Sequence, residues 1–321
     1  MKQATQDKFI KPQFTLSLLH PKYWSVWLGF GSLAFVVNVL PYSLLFRIGR
    51  GLGLLGMRFG KSRAHITRRN LELAFPDKSA EEVEAMVVDN FKNTGLALIE
   101  TGITWFWPTW RFKRLVIAKD IDLLYEYKAK KKGVLLCCVH ALNLEITARA
   151  FAVLQTGIQG FGVFRPHSNP AYNFIQCWGR THNSNQLVDR KDLKKMIRVM
   201  RQGELLFYLP DHDYGRNKSV FVPFFAVEDA CTTTGTSILA YASKCAIVMG
   251  SGFRNQDGKY EIIANVSVEE NYPQKDEKAA AAYMNKYVEM LIMRAPTQWM
   301  WLHKRFKTMQ DPNVPKGIRY K

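Results

Sequence analysis

A histidine at the end of a short apolar run is where this chain first offers chemistry. Val134 to Val139 carries no charge, follows Gly133 and has the length of a buried strand. It ends on His140, and Glu145 follows after four intervening residues. A base at the carboxyl edge of a buried strand, with a carboxylate close by, can take the proton of a hydroxyl group. On one continuous helix a step of five residues would turn the two side chains to different faces. The pair works best with His140 on a strand-to-helix turn and Glu145 in the first turns of the next helix. There Glu145 would accept the second imidazole N–H and fix the tautomer. A histidine bonded to local backbone, followed by a glutamate that favours a helix N-terminus, would give the same letters.

Two further apolar strands end in polar groups, one at Arg165 and one at Asp211–His212–Asp213. In open α/β sheets ligands collect at the carboxyl ends of strands, so this repetition points to an active site. Arg165 could clamp a phosphate or an anion formed during reaction, or simply anchor the turn before Pro166. Thr232, Thr233 and Thr234 precede Gly235 at the start of a helix, where hydroxyls and unpaired N–H groups could hold an anion or serve as caps. The alternation of Asp and His at 211–213 hints at a metal, but no second His/Asp cluster completes a coordination set, and no metal is expected. No G-x-S-x-G elbow, P-loop or G-x-G-x-x-G follows a strand. Serine hydrolysis, ATP use and a dinucleotide lose ground, and no cofactor is expected. A His/carboxylate pair without an enzyme nucleophile suggests direct transfer, in which an acceptor hydroxyl attacks an activated acyl group.

The elements that must position these groups alternate. Strands are expected at Phe161–Phe164, Glu204–Leu209, Ala246–Gly250 and Lys259–Val266, besides Val134–Val139. Helices are expected near Pro170–Gly179, Lys191–Gln202, Thr234–Lys244 and Lys278–Arg294, and one is started by the Ser79/Glu82 capping box. Alternation of this kind implies an α/β fold, a mixed or parallel sheet flanked by helices. The aromatic stretch Thr101–Trp110, ended by Pro108, is expected to pack in the core, with an aromatic patch at lipid depth as the alternative. The five cysteines are odd in number and lack a C-x-x-C, which argues against disulfides and zinc.

Lys and Arg outnumber Asp and Glu by 45 to 27, a net charge of +18 that calls for an anionic partner. From Tyr23 to Leu40 the chain is uncharged, with Tyr23, Trp24 and Trp27 at one end. This is the expected N-terminal membrane helix, short for a span, with a helix lying in the interface as the alternative. Arg47, Arg50, Arg58, Lys61, Arg63, Arg68 and Arg69 follow it, while Lys2, Lys8, Lys11 and Lys22 precede it. Anionic headgroups therefore account for the charge without nucleic acid, and no nucleic-acid module is visible. The expected organisation is a tail and anchor over 1–45 and one domain over 46–321, held on the cytoplasmic face.

Longer stretches carry a resemblance that covers nearly the whole chain, from LLHPKYW at Leu18 to MWLHKRFKT ending at Thr308. They include RRNLELAFPD from Arg68, ETGITWFWP from Glu100, FRPHSNP from Phe164, LVDRKDLKKMI from Leu187, PDHDYG from Pro210, VFVPFFAV from Val220 and CTTTGT from Cys231. In these the chain resembles the late acyltransferases of lipid A biosynthesis, of the lauroyl/palmitoleoyl type, within the H-x4-D/E acyltransferase superfamily. The resemblance implies a glycerolphosphate-acyltransferase-like fold at the bacterial inner membrane. It also implies acyl transfer from acyl-carrier protein to a 3-hydroxyacyl hydroxyl of (Kdo)2-lipid IVA. The H-x4-D/E motif falls on His140 and Glu145, the Y-R-P arginine on Arg165 and the D-H-D turn on Asp211 and Asp213. Phe164, Ala141, Asn143 and His167–Ser168 depart from the usual letters. The acidic carrier protein would dock on Lys191, Lys194, Lys195 and Arg198, and the anionic lipid A precursor would meet the basic collar. The other readings are an acyltransferase for a lysophospholipid or another glycolipid, and a non-enzymatic basic membrane-surface protein.

Overall fold

The structure, a computed structural model, describes residues 9–154, 157–182, 185–268 and 272–321. Lys2 and Lys8 lie outside them. A helical layer comes first: α1 (Trp24–Val39), α2 (Tyr42–Phe59), α3 (Lys61–Ala74), α4 (Ala80–Phe106) and the short α5 (Thr109–Lys113). Strands and helices then alternate: β1 (Val116–Asp120), α6 (Asp122–Ala129), β2 (Val134–Cys137), α7 (Leu144–Val153), β3 (Gly160–Phe164), α8 (Pro170–Thr181), β4 (Gln186–Asp189), α9 (Leu193–Arg201) and β5 (Leu205–Tyr208). A hairpin of β6 (Ser219–Phe224) and β7 (Val227–Thr233) leads into α10 (Gly235–Ser243), β8 (Ala246–Arg254), β9 (Tyr260–Ser267) and α11 (Glu277–Met293). A largely irregular segment from 294 onward returns across the strand ends.

The main sheet has the order β1-β9-β8-β2-β5-β3-β4, parallel throughout except for β8 against β9. Its central strands are apolar on both faces because both are covered. Leu135 and Cys137 of β2 join Leu206 of β5 and Ile247 of β8 in one core, against α9, α10 and α11. Val134 and Leu136, one residue out of step, join Leu205, Phe207, Ala246 and Val248 in a second core with α7 and the end of α4. The α/β expectation holds, with a parallel-dominated sheet.

The capping box forms in both directions: Glu82 N donates to Ser79 Oγ at 3.2 Å and Ser79 N to Glu82 Oε2 at 2.9 Å. The helix it starts runs through Thr101–Phe106, so most of the aromatic stretch is helical. Trp105 and Trp107 are buried, and Pro108 follows the end as a helix stop.

The membrane-spanning expectation for residues 23–40 is corrected. No helix among the described residues is long and apolar enough to cross a membrane. Helix α1 has 16 residues, about 24 Å at 1.5 Å per residue. Leu40 is extended, and Pro41 caps a separate helix, α2. Part of α1 is also spent on protein contacts: Val37 is fully buried, and a Cβ at Gly102 of α4 would come within 2.8 Å of Leu33. Helix α2 approaches α4 even more closely, since a Cβ on Gly53 would fall 2.0 Å from Phe91 O and one on Gly95 2.1 Å from Gly49 O. Outward, Trp24, Leu28, Phe35, Val39, Leu55 and Phe59 remain exposed.

Candidate active site

Strands β2 and β5 are parallel neighbours, and Cys137 pairs with Tyr208. Three residues beyond that pair lie His140 and Asp211, so the register brings them together. His140 Nδ1 is 2.6 Å from Asp211 Oδ1, and the His140 backbone N–H donates to Asp211 Oδ2 at 2.7 Å. A third donor, Trp299 Nε1, reaches the same Oδ2 at 2.6 Å. The C-terminal segment also clamps the turn through backbone: Leu142 N donates to Gln298 O at 2.8 Å and Met300 N to His140 O at 3.0 Å. Asp211 is fully buried, while the His140 side chain keeps 20% of its surface open. Burial alone would raise the Asp211 carboxyl pKa. The facing His140 imidazole and its hydrogen bonds, together with His212, outweigh burial and hold it well below the usual carboxylate range. An ionised carboxylate on Nδ1 leaves Nε2 as the imidazole nitrogen that can accept a proton.

Below His140 lies a second ring. His212 stacks on it with centroids 3.5 Å apart and planes 6° from parallel, and His303 stacks on the far side of His212 at 4.3 Å and 9°. Burial, then the charge of His140, hold the His212 pKa down to about 2, and burial with Lys307 holds His303 down to about 4. His140, Asp211 and His212 bring ligand atoms within 4.8 Å of one another. The set suits a metal poorly, because Nδ1 of His140 is committed to Asp211 and the in-plane lone pairs of two parallel rings do not converge on one point.

Glu145 takes another partner. It is the second residue of α7, and it accepts from Arg180 Nε of α8 at 2.9 Å and from Trp105 Nε1 of α4 at 3.1 Å, with Arg180 Nη2 closing the pair. Burial opposes the Arg180 charge, but Glu145 beside it prevails and raises its pKa. Trp105 lies flat under α8, where a Cβ on Gly179 would meet its ring at 2.4 Å. The Glu145–Arg180 pair borders a pocket of about 90 Å³ lined otherwise mainly by apolar groups, among them Cys138, Leu144, Val163, Phe207 and Leu209. Burial, reinforced by Asp211, pushes the Cys138 thiol far up, so it offers no thiolate.

A buried carboxylate holding a part-open imidazole, each two residues along the chain from a group that lines an apolar pocket (Cys138 and Leu209), can deprotonate a hydroxyl close to a bound hydrocarbon. Residues 11–308 match the family model described as bacterial lipid A biosynthesis acyltransferase. The chain is 48% identical to the lipid A biosynthesis lauroyltransferase of Escherichia coli (strain K12), over 96% of this chain and 97% of that one. It is 39% identical to the palmitoleoyltransferase of the same strain, over 94% and 96%. A lipid A biosynthesis acyltransferase of Haemophilus influenzae is 42% identical, over 95% and 97%. The chain belongs to the bacterial lipid A biosynthesis acyltransferase family. It is an enzyme, an acyltransferase of lipid A biosynthesis.

The acyltransferase distributes the residues singled out in its sequence unevenly. His140 and Asp211 meet, whereas the expected imidazole partner, Glu145, is turned to Arg180. The reason is local: α7 starts at Leu144, and its first turn directs Glu145 toward α8 rather than back over the strand end. Asp213 faces away from His140 and accepts from Thr308 N at 2.8 Å, Thr308 Oγ1 at 2.9 Å and Gly215 N at 2.9 Å, which ties down the C-terminal segment. Thr232 Oγ1 accepts from Asn285 and Arg305, Thr233 Oγ1 from Gly235 N, and Thr234 Oγ1 donates to Lys218 O. Each threonine thus has a protein partner: Thr232 in α11 and the C-terminal segment, Thr233 at the start of α10 and Thr234 just before β6. Arg165 is exposed at the end of β3, and no hydrogen bond joins it to His140, Asp211 or Glu145. On α9 and its lead-in, Lys191, Lys194 and Arg198 are exposed, but Lys195 is buried with its ammonium 4.0 Å from the centre of the Phe9 ring. Lys195 is therefore no part of an open docking face. Sequence reasoning missed Trp299, Arg180 and the His212–His303 stack. Trp299 and His303 lie in the dense WMWLHKRF stretch from Trp299 to Phe306, whose aromatic character was the available signal.

Proposed function

We propose that this acyltransferase moves a fatty acyl group from the thioester of an acyl-carrier protein to the hydroxyl of a 3-hydroxyacyl chain on (Kdo)2-lipid IVA. The observation that carries the reading is His140 fixed through Nδ1 by Asp211 at the carboxyl end of the sheet, with no hydrogen bond to Nε2 among the described residues. Nε2 takes the proton of the acceptor hydroxyl as its oxygen attacks the thioester carbonyl carbon. The new C–O bond forms, the C–S bond breaks, and the proton passes from Nε2 to the departing carrier thiolate. The bonds balance without a cofactor or a covalent enzyme intermediate. Arg180, aligned by Glu145 at the pocket's edge, supplies positive charge for the oxygen that gains electrons in the tetrahedral state. Arg165, outside this hydrogen-bonded set, is assigned to an acceptor phosphate, and the apolar pocket to the acyl chain.

The protein works at the cytoplasmic face of the inner membrane, with α1 and α2 lying in the interface. Leu28 and Phe35 are each 69% exposed and Phe59 77%, beside the arginines of α2. Lys191, Lys194 and Arg198 form the docking face for the acidic carrier. Incubation with the tetra-acylated Kdo-lipid A precursor and carriers bearing chains of several lengths, read by mass spectrometry, tests the assignment. A product one acyl chain heavier is expected, and the preferred donor names the chain. Acylation of a lysophospholipid in its place would overturn the acceptor.

A further inference from the structure

His212 is histidine by sequence, yet the fold uses neither of its ring nitrogens. Among the described residues its buried Nε2 has no partner and no hydrogen bond engages Nδ1, and the residue is only 8% exposed. Its flat faces, by contrast, are both occupied, one by His140 at 3.5 Å and the other by His303 at 4.3 Å, with the Trp299 ring meeting its edge at 6.4 Å and 66°. We infer that His212 is a positioning residue of the transfer reaction: its uncharged ring is the floor on which the His140 imidazole is held in plane and on which the positive charge of the imidazolium rests while the proton is in transit. This rests on the base role proposed for His140.

Two observations support the role. A cation over an aromatic face is favoured most where water is excluded, and this face is closed to water. The floor must also stay neutral, and its surroundings keep it so. The groups around it are His140 from the β2–α7 turn, Asp211 and Tyr214 from its own loop, and His303 and Arg305 from the C-terminal segment, with Lys307 and Arg63 of α3 beyond His303. Burial, the His140 charge and the neighbouring basic groups outweigh Asp211, the one group that favours protonation.

The test separates the ring's face from its nitrogens and from its volume. His212→Phe keeps an aromatic face and loses no hydrogen bond; His212→Leu keeps a comparable apolar volume and loses the face. Single-turnover and steady-state transfer would be measured on folded protein. In parallel, NMR of imidazole-labelled protein would follow the ring-current shift that a stacked aromatic imposes on the His140 ring protons. The Phe variant should stay within about threefold of wild type. The Leu variant should lose about three- to thirty-fold in kcat with KM for both substrates unchanged, and the ring-current shift should persist in Phe and vanish in Leu. Equal activity of the two variants, whether both intact or both impaired, would overturn the inference. So would a loss in Leu that appears in KM. If wild type transfers no acyl group, the acyl-transfer reading fails and takes the role of His212 with it. The ring-current shift would then still report whether the rings stack.

Discussion

Replacing Asp211 with asparagine changes one atom of a carboxylate whose surroundings dictate how the amide must sit. Oδ2 receives two N–H donors, from the His140 backbone at 2.7 Å and Trp299 Nε1 at 2.6 Å, while Oδ1 faces His140 Nδ1 at 2.6 Å. An amide turned the wrong way would set its NH2 against two donors in a fully buried position, leaving both unsatisfied at about 1–3 kcal/mol each. The oxygen therefore takes the Oδ2 place and the NH2 points at Nδ1. Nδ1 must then be an acceptor, the imidazole proton moves to Nε2, and the ring no longer has a lone pair where the acceptor hydroxyl needs one. When the orienting carboxylate of such a histidine becomes an amide with geometry retained, kcat falls by roughly 10⁴, about 5 kcal/mol of transition-state stabilisation. Loss of the charged hydrogen bond also costs about 1–3 kcal/mol of stability. The assay is single-turnover acyl transfer with Asp211→Asn, accompanied by a denaturant titration. A variant that is folded and within tenfold of wild type would refute the orienting role of Asp211.

Other outcomes follow from the same contacts. Glu145→Gln should lower stability by about 1–3 kcal/mol in urea, because Arg180 loses its counter-charge in a partly buried setting; an unchanged midpoint would contradict the pairing. His212 and His303 titrate in the fold at about 2 and about 4. As pH falls below about 6.5 the unfolded chain therefore takes protons that the folded one refuses, and stability drops by up to about 1.4 kcal/mol per pH unit for His212 and by less for the half-buried, solvent-screened His303. The His303 loss levels off near pH 4, and that of the more buried His212 continues toward pH 2. Melting temperatures at pH 7 and 5 should converge in His212→Phe relative to wild type, and identical slopes would count against the neutral stack. Leu28→Glu together with Phe35→Glu should weaken sedimentation with anionic vesicles more than tenfold without altering the fold, since each buried apolar side chain is worth about 1.5–3 kcal/mol. Undiminished binding would remove α1 from the interface.

Much of the scaffold is legible in the sequence because it obeys local rules. Ser79 and Glu82 announce their helix, and the apolar runs of β2, β5 and β8 announce buried strands. The ends of those runs locate His140 and Asp211. Their partnership is not local: it depends on β2 lying beside β5 with Cys137 opposite Tyr208, a fact of sheet order that no spacing along the chain encodes. Glu145, close to His140 in sequence, was for that reason the natural choice and is turned elsewhere by the first turn of α7. The β6–β7 hairpin is hidden by Pro223, which a two-stranded ribbon tolerates at its edge, and by Phe225 at φ +51° in its turn. The run from Tyr23 to Leu40 looks like a span by composition, yet Pro41 and the packing of Val37 and Leu33 on α4 make it the first helix of a protein layer. Trp299 and His303 reach the site from more than 80 residues beyond Asp211, which only the folded chain can disclose.

The most direct test of the whole account is the rate of a single acyl transfer by His140→Ala, compared with wild type on the same carrier-bound donor and Kdo-lipid A acceptor, with folding checked by circular dichroism. A loss of about 10²–10⁴ or more in a folded variant is expected of a general base. A rate within tenfold of wild type would contradict the assignment of His140 and, with it, the role given to Asp211.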